Sequence, residues 1–115
     1  MTKVSRRMLL KIDTTKREEV IVQLIDPKSD LKDKLVQKQK LGSQLLLPMI
    51  VKILKKNKID FSKLTAVEVN TGPGSFTGTR VGVAVANALG YSLDIPVNGK
   101  KDTIALPKYE KSKFD

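Results

Sequence analysis

The chain has 115 residues and contains no cysteine, no histidine and no tryptophan, with only two tyrosines and three phenylalanines. Without cysteine there is no disulfide and no thiolate nucleophile, and without histidine there is no imidazole base and none of the common zinc sites. The carboxylates are scattered rather than paired at a recognisable spacing, so no nucleophile and base constellation assembles. The shortage of aromatic rings leaves few platforms on which nucleic-acid bases stack. Long apolar runs are also missing. Met8 to Leu10 is cut short by Lys11, too brief for a signal-peptide core, and no stretch reaches the length of a membrane span. The reading is a soluble cytoplasmic protein with no cofactor, no metal and no membrane contact.

What is present is positive charge. Lys and Arg total 22 against 12 Asp and Glu, a formal net charge of +10. The lysines are spread along the chain, so a solvated basic surface with salt-sensitive attraction to polyanions is expected before a dedicated nucleic-acid site. The length suits a single domain with one hydrophobic core.

Residues 8 to 12 and the β-branched run Val20 to Ile25 read as a hairpin, with Thr14 to Arg17 as the connection. A turn cluster at Asp26 to Asp30 leads to a lysine-rich edge strand over Lys34 to Lys40. A helix is predicted from Ser43 to about Asn57, with a kink or a lost hydrogen bond at Pro48. Eight of the ten residues from Leu45 to Leu54 are apolar. They cover an arc of roughly 240°, more than a helix packed on one core needs, so one face is left for a partner. A strand is predicted over Ala66 to Asn70 and a second helix over Phe76 to Leu93. In that helix Gly78, Gly82, Ala86 and Gly90 recur every four residues. The seam either packs closely on the domain's own sheet or meets a helix of another subunit. Val97 to Gly99 is read as a last short strand, Thr103 to Leu106 as a brief helix, and Lys108 to Asp115 as a charged, frayed tail. The element order βββαβαβ describes an α/β lobe with a mixed sheet flanked by helices.

Between the fourth strand and the second helix lies Thr71-Gly72-Pro73-Gly74-Ser75-Phe76-Thr77-Gly78-Thr79-Arg80-Val81-Gly82. Its glycines and proline build a rigid strand-to-helix corner, and Ser75 or Thr77 is placed to cap the helix. Gly72, Gly74, Ser75, Thr77, Gly78 and Arg80 form a candidate anion site at a helix N-terminus. The spacing is not that of a P-loop. Arg80 either pairs with an anion or braces the corner through carbonyls, and bracing is the first reading.

This run resembles the G-P-G-S-F-T-G-x-R-x-G signature of the TsaB (YeaZ) family, the partner subunit in bacterial synthesis of threonylcarbamoyladenosine in tRNA. Met8 to Thr15 resembles the family's first strand and I-D-T-S turn, Ser43 to Pro48 its H-S-x-x-L-L-P helix start, and Leu93 to Pro96 its L-x-I-P. The resemblance covers roughly residues 5 to 97, which makes 1–97 an N-terminal lobe and 98–115 a terminal remnant and tail. It implies a single actin-like, ribonuclease-H-like lobe, where family members usually carry a second lobe of similar fold. It also implies a non-catalytic dimerization or scaffold subunit: a homodimer, a TsaD-like catalytic partner, a TsaE-like ATPase joined through the complex, and tRNA met indirectly.

In related ATPases the acid at the position of Asp13 lies close to phosphate or metal. Here Thr14 and Thr15 follow it with no glycine, which leaves Asp13 as a vestigial phosphate-side acid with a local turn role. Where the family often has histidine, Gly42 precedes Ser43. The expected interface residues are Leu45, Leu47, Met49, Val51 and Leu54 on the first helix and Gly78, Gly82, Val85 and Ala86 on the second. The competing functions are a basic RNA-binding module on the same fold and a degenerate TsaD-like or ATPase half.

Overall fold

The computed structural model describes residues 8–26, 28, 31–38, 45–74, 76–100 and 105–106, without the side chains of residues 76 and 77. Strand β1 (Leu9–Asp13) and strand β2 (Glu19–Asp26) pair antiparallel, with Ile12 opposite Val22. Strand β3 (Leu31–Lys38) pairs antiparallel with β2, from Glu19 opposite Lys38 to Asp26 opposite Leu31. It begins earlier than the predicted Lys34, and the last two residues of the predicted strand, 39 and 40, lie outside the described residues. The full pairing with β2 sets its start, whereas the alternation of lysine and glutamine is too weak a signal to do so.

Helix α1 (Leu46–Lys56) follows, then a short 3-10 turn (Phe61–Lys63), strand β4 (Ala66–Val69) and helix α2 (Phe76–Leu93). Strand β4 lies parallel to β1, giving a mixed sheet in the order β3-β2-β1-β4. The predicted last strand is reduced to one residue: Val97 bridges Val67 in parallel, and the backbone then turns so that Val97 also pairs with Lys100. Ser43, Ser75, Thr103 and Lys108 to Asp115, which carried sequence expectations, lie outside the described residues.

Pro48 is the third residue of α1. In the first turn of a helix the N–H has no intrahelical acceptor, so the missing donor costs no bond and the expected kink has no cause. The first bond runs from Met49 N to Leu45 O at 3.0 Å.

The sheet has one covered face. Leu10 and Ile12 of β1, Val20, Val22 and Leu24 of β2, and Val67 and Val69 of β4 are buried in matching register. Helix α1 lies over β2 and β3, and α2 lies over β4 and β1. Met49, Ile50, Ile53 and Leu54 from α1 and Val83 and Ala86 from α2 close the core. On the opposite face no strand residue is buried, and Lys11, Gln23, Lys34 and Glu68 form a polar row across it. At the far end of α1, Asn57 donates to Asp33 Oδ2 at 2.9 Å and to the Ile53 carbonyl at 2.8 Å, tying the helix C-terminus to the edge strand. Lys56 adds a contact to Asp33 at 3.3 Å.

Candidate functional site

Two regions carry the residues that the sequence singles out. The first is the corner where β1 and β4 end and α2 begins. Asp13 closes β1, and its Oδ1 accepts from the Thr15 amide at 2.9 Å and the Thr15 hydroxyl at 2.7 Å. Its Oδ2 accepts from Asn70 Nδ2 at 3.1 Å, and Asn70 Oδ1 in turn accepts from the Gly72 amide at 3.0 Å. One hydrogen-bonded chain therefore joins the ends of both parallel strands to the glycine corner. Partial burial pushes the Asp13 carboxyl up, but the Thr15 hydroxyl and amide, Asn70 and the charge of Lys16 outweigh it and hold the group below its ordinary value.

Gly72 sits at φ 106°, before a cis peptide bond to Pro73. Only glycine takes that backbone conformation readily. Gly74 is needed for a different reason: a Cβ there would stand 2.5 Å from Thr15 Cβ and 2.8 Å from the Thr15 carbonyl oxygen. A Cβ at Gly82 would collide with the Thr14 hydroxyl, which itself donates to the Gly78 carbonyl at 2.5 Å. The turn after β1 thus fills the space that the glycines leave open. The corner is a close joint between the β1 turn and α2. Arg80 is exposed on the helix just beyond it.

On the open face beside Asp13 lies a groove of about 320 Å³, lined by Lys11, Asp13, Gln23, Glu68, Asn70 and Asn98 among others. Lys11 and Glu68 pair across it at 3.8 Å. Asn98 was not singled out by the sequence. Its side chain accepts from Val69 N at 2.8 Å and donates to Val69 O at 3.1 Å, acting as a strand partner for the edge of β4. Among the described residues no three His, Cys, Asp or Glu side chains are grouped to hold a metal ion.

The second region is the outer side of the two helices. Leu47 and Val51 are exposed on α1, at 51% and 36% of their full accessibility. The other residues proposed for contact on the two helices differ. Met49, Leu54 and Ala86 are buried in the core, Leu45 and Val85 pack partly against it, and Gly82 is buried against Thr14. The buried positions, Met49, Leu54, Ala86 and Gly82, therefore face the chain's own core rather than a partner. The seam of small residues faces the chain's own sheet because the β1 turn at one end and Val97 at the other approach its backbone. The apolar positions that α2 turns outward are instead Val81, Ala84, Ala88 and Tyr91, with Tyr91 91% exposed. They lie away from the small-residue line, which was the signal that could have found them.

The family model described as "TsaD: tRNA N6-adenosine threonylcarbamoyltransferase" matches residues 37–107. The chain is 39% identical over 59 residues to the tRNA threonylcarbamoyladenosine biosynthesis protein TsaB of Haemophilus influenzae, covering 51% of this chain and 25% of the relative. It is 35% identical over 57 residues to TsaB of Escherichia coli, covering 50% of this chain and 25% of that protein. YeaZ from Pseudomonas aeruginosa superposes with a TM-score of 0.71 at 31% identity, over 78% of this chain and 42% of that structure. The chain belongs to the TsaB/YeaZ family.

The TsaB matches span about a quarter of the curated relatives' length. The described lobe is the actin-like fold of YeaZ, with the mixed sheet and both helices in place. Among the described residues no helix is long and apolar enough to cross a membrane.

Proposed function

We propose that this TsaB-like chain is a non-catalytic accessory subunit in the synthesis of threonylcarbamoyladenosine in tRNA, and that it acts by docking a TsaD-type catalytic subunit on the outer faces of α1 and α2. The observation that carries the reading is that each helix exposes apolar side chains, Leu47 and Val51 on α1 and Val81, Ala84, Ala88 and Tyr91 on α2. Leucine, valine and an almost fully exposed tyrosine on the outer sides of the two helices suit a helix-to-helix contact in which aromatic and aliphatic anchors carry most of the binding energy. Exposed Lys52, Lys55 and Arg80 border it, which favours a partner with an acidic rim.

The same surface supports self-association as a two-fold pair when the partner is absent. A TsaE-type ATPase joins through the assembled complex, tRNA is held chiefly by the catalytic partner, and the setting is cytoplasmic. The accessory role is further supported by the absence of histidine and cysteine from the sequence, which leaves neither an imidazole base nor the usual metal ligands.

Reconstitution tests the proposal. Threonylcarbamoyl transfer to tRNA is measured with the TsaD-type and TsaE-type proteins from the same source, with and without this chain. Transfer should require the chain and fall sharply with Val51→Glu or Tyr91→Glu. Transfer that is equally fast without the chain, or indifferent to both substitutions, contradicts it.

A further inference from the structure

The direction in which α2 presents its outer face is fixed from within. Along the inner side of the helix, Gly78, Gly82 and Gly90 each meet another part of the chain. The Thr14 hydroxyl donates to the Gly78 carbonyl and stands against the Gly82 backbone, and Val97 stands against Gly90. Thr14 is itself 2% exposed, on the covered face at the end of β1. It therefore touches α2 at two positions one turn apart, from the residue that follows a strand held on both sides by neighbours.

A side chain gripping two successive turns restricts both the rotation of a helix about its axis and its sliding along that axis. With about 3.6 residues per turn, Ala84 and Tyr91 fall roughly half a turn from Gly82, with Val81 and Ala88 flanking them. The line gripped by Thr14 is thus turned away from the line offered to solvent, with Ala84 and Tyr91 farthest from Gly82. A methyl group at the Thr14 oxygen position would be larger than the hydroxyl and would donate no bond, so the helix could not keep the same seat.

We infer that Thr14 is a positioning residue for the partner surface: its hydroxyl, through Gly78 and Gly82, sets the rotation of α2 that turns Val81, Ala84, Ala88 and Tyr91 outward. The inference about orientation stands on the contacts themselves, and its consequence for assembly rests on the function proposed above.

The absence of native cysteine makes the test direct, because Lys55→Cys on α1 and Ala88→Cys on α2 give two unique sites for spin labels. Both positions are exposed. The distance distribution between the labels is measured in the otherwise native chain and with Thr14→Ser or Thr14→Val, and self-association of the unlabelled variants is measured alongside by sedimentation. Thr14→Ser keeps the hydroxyl and should reproduce the native distribution. Thr14→Val should give a folded protein with a shifted and broadened distribution and several-fold weaker association. A folded Thr14→Val chain with the native distribution overturns the inference.

Should Thr14→Val not fold, the pair Thr14→Ala with Gly82→Ala takes its place, moving a methyl group to the helix side of the contact without restoring the hydroxyl. An unchanged distribution there is equally fatal. If both fail to fold while Thr14→Ser folds, the hydroxyl serves the fold as a whole and the positioning claim is wrong. A native chain that never associates, combined with a shifted distance in Thr14→Val, removes the docking surface and leaves the orientation result standing.

Discussion

The hydroxyl of Thr14 donates to the carbonyl of Gly78 at 2.5 Å, joining the end of the central strand to the first turn of α2. This contact, with Thr15 against Gly74 and Thr14 against Gly82, explains why the corner after β4 is rich in glycine. The glycines let two backbone segments meet.

Filling that joint should be costly. Gly82→Ala places a methyl group on the buried Thr14 hydroxyl, and Gly74→Ala places one against Thr15. Each should lower the unfolding free energy by about 1–3 kcal/mol, the usual cost of overpacking. Gly99→Ala is the control, since among the described residues nothing lies within 4 Å of its Cβ position and its φ of 79° is what disfavours a side chain. It should cost about 1 kcal/mol. Urea denaturation ranks the three, and a Gly82→Ala protein as stable as the native chain would show that the joint is looser than described.

The cap between α1 and β3 should make stability depend on acid. The Asn57 amide holds the Asp33 carboxylate below its ordinary value of 3.8 against the opposing effect of burial, helped by Lys56 and the Lys34 amide. Because the folded value lies below the unfolded one, the unfolded chain binds more protons in the interval between them. Stability from this cap is therefore full above the unfolded value and is lost as pH falls through the folded one. Asp33→Asn should flatten the acid limb of a plot of unfolding free energy against pH, relative to the native chain. An identical acid limb in the variant contradicts the assignment.

Much of this lobe was legible in the sequence, and the remainder failed for identifiable reasons. The hairpin, the strand at Ala66 and the limits of α2 follow from β-branched runs and from the turn chemistry around Gly72 to Gly74. The glycine seam was legible as a face, yet periodicity marks a face without saying what lies against it. The occupants, Thr14 and Val97, come from distant parts of the chain. The broad apolar arc of α1 offers several candidate contact residues, but the sheet absorbs Met49 and Leu54 and leaves Leu47 and Val51. Asn70 and Asn98 fall within predicted strands, and their roles were not legible because they depend on tertiary partners, Asp13 in one case and the backbone of Val69 in the other.

Nucleotide should not bind tightly to the chain alone. Asp13 already accepts three hydrogen bonds, and Thr15 occupies the space next to Gly74 that a close phosphate loop would need. Calorimetry with magnesium and ATP should give no strong one-to-one isotherm. Tight stoichiometric binding, abolished by Asp13→Asn, would assign the corner a ligand after all.

RNA should bind weakly and without preference. A net charge of +10 spread over the chain releases counterions from any RNA, while five aromatic side chains offer little stacking. Filter binding at rising salt should show affinity falling alike for tRNA and unrelated RNA. One tRNA class retained at physiological salt would favour the RNA-binding alternative.

Mass in solution tests the central claim most directly. Light scattering on a sizing column is run on this chain, on the TsaD-type protein from the same source, and on the two mixed. The account predicts a complex of defined stoichiometry in the mixture, lost with Val51→Glu or Tyr91→Glu while those variants remain folded by circular dichroism. Two proteins that elute separately at every concentration, or a complex indifferent to both substitutions, would contradict docking through the outer faces of α1 and α2.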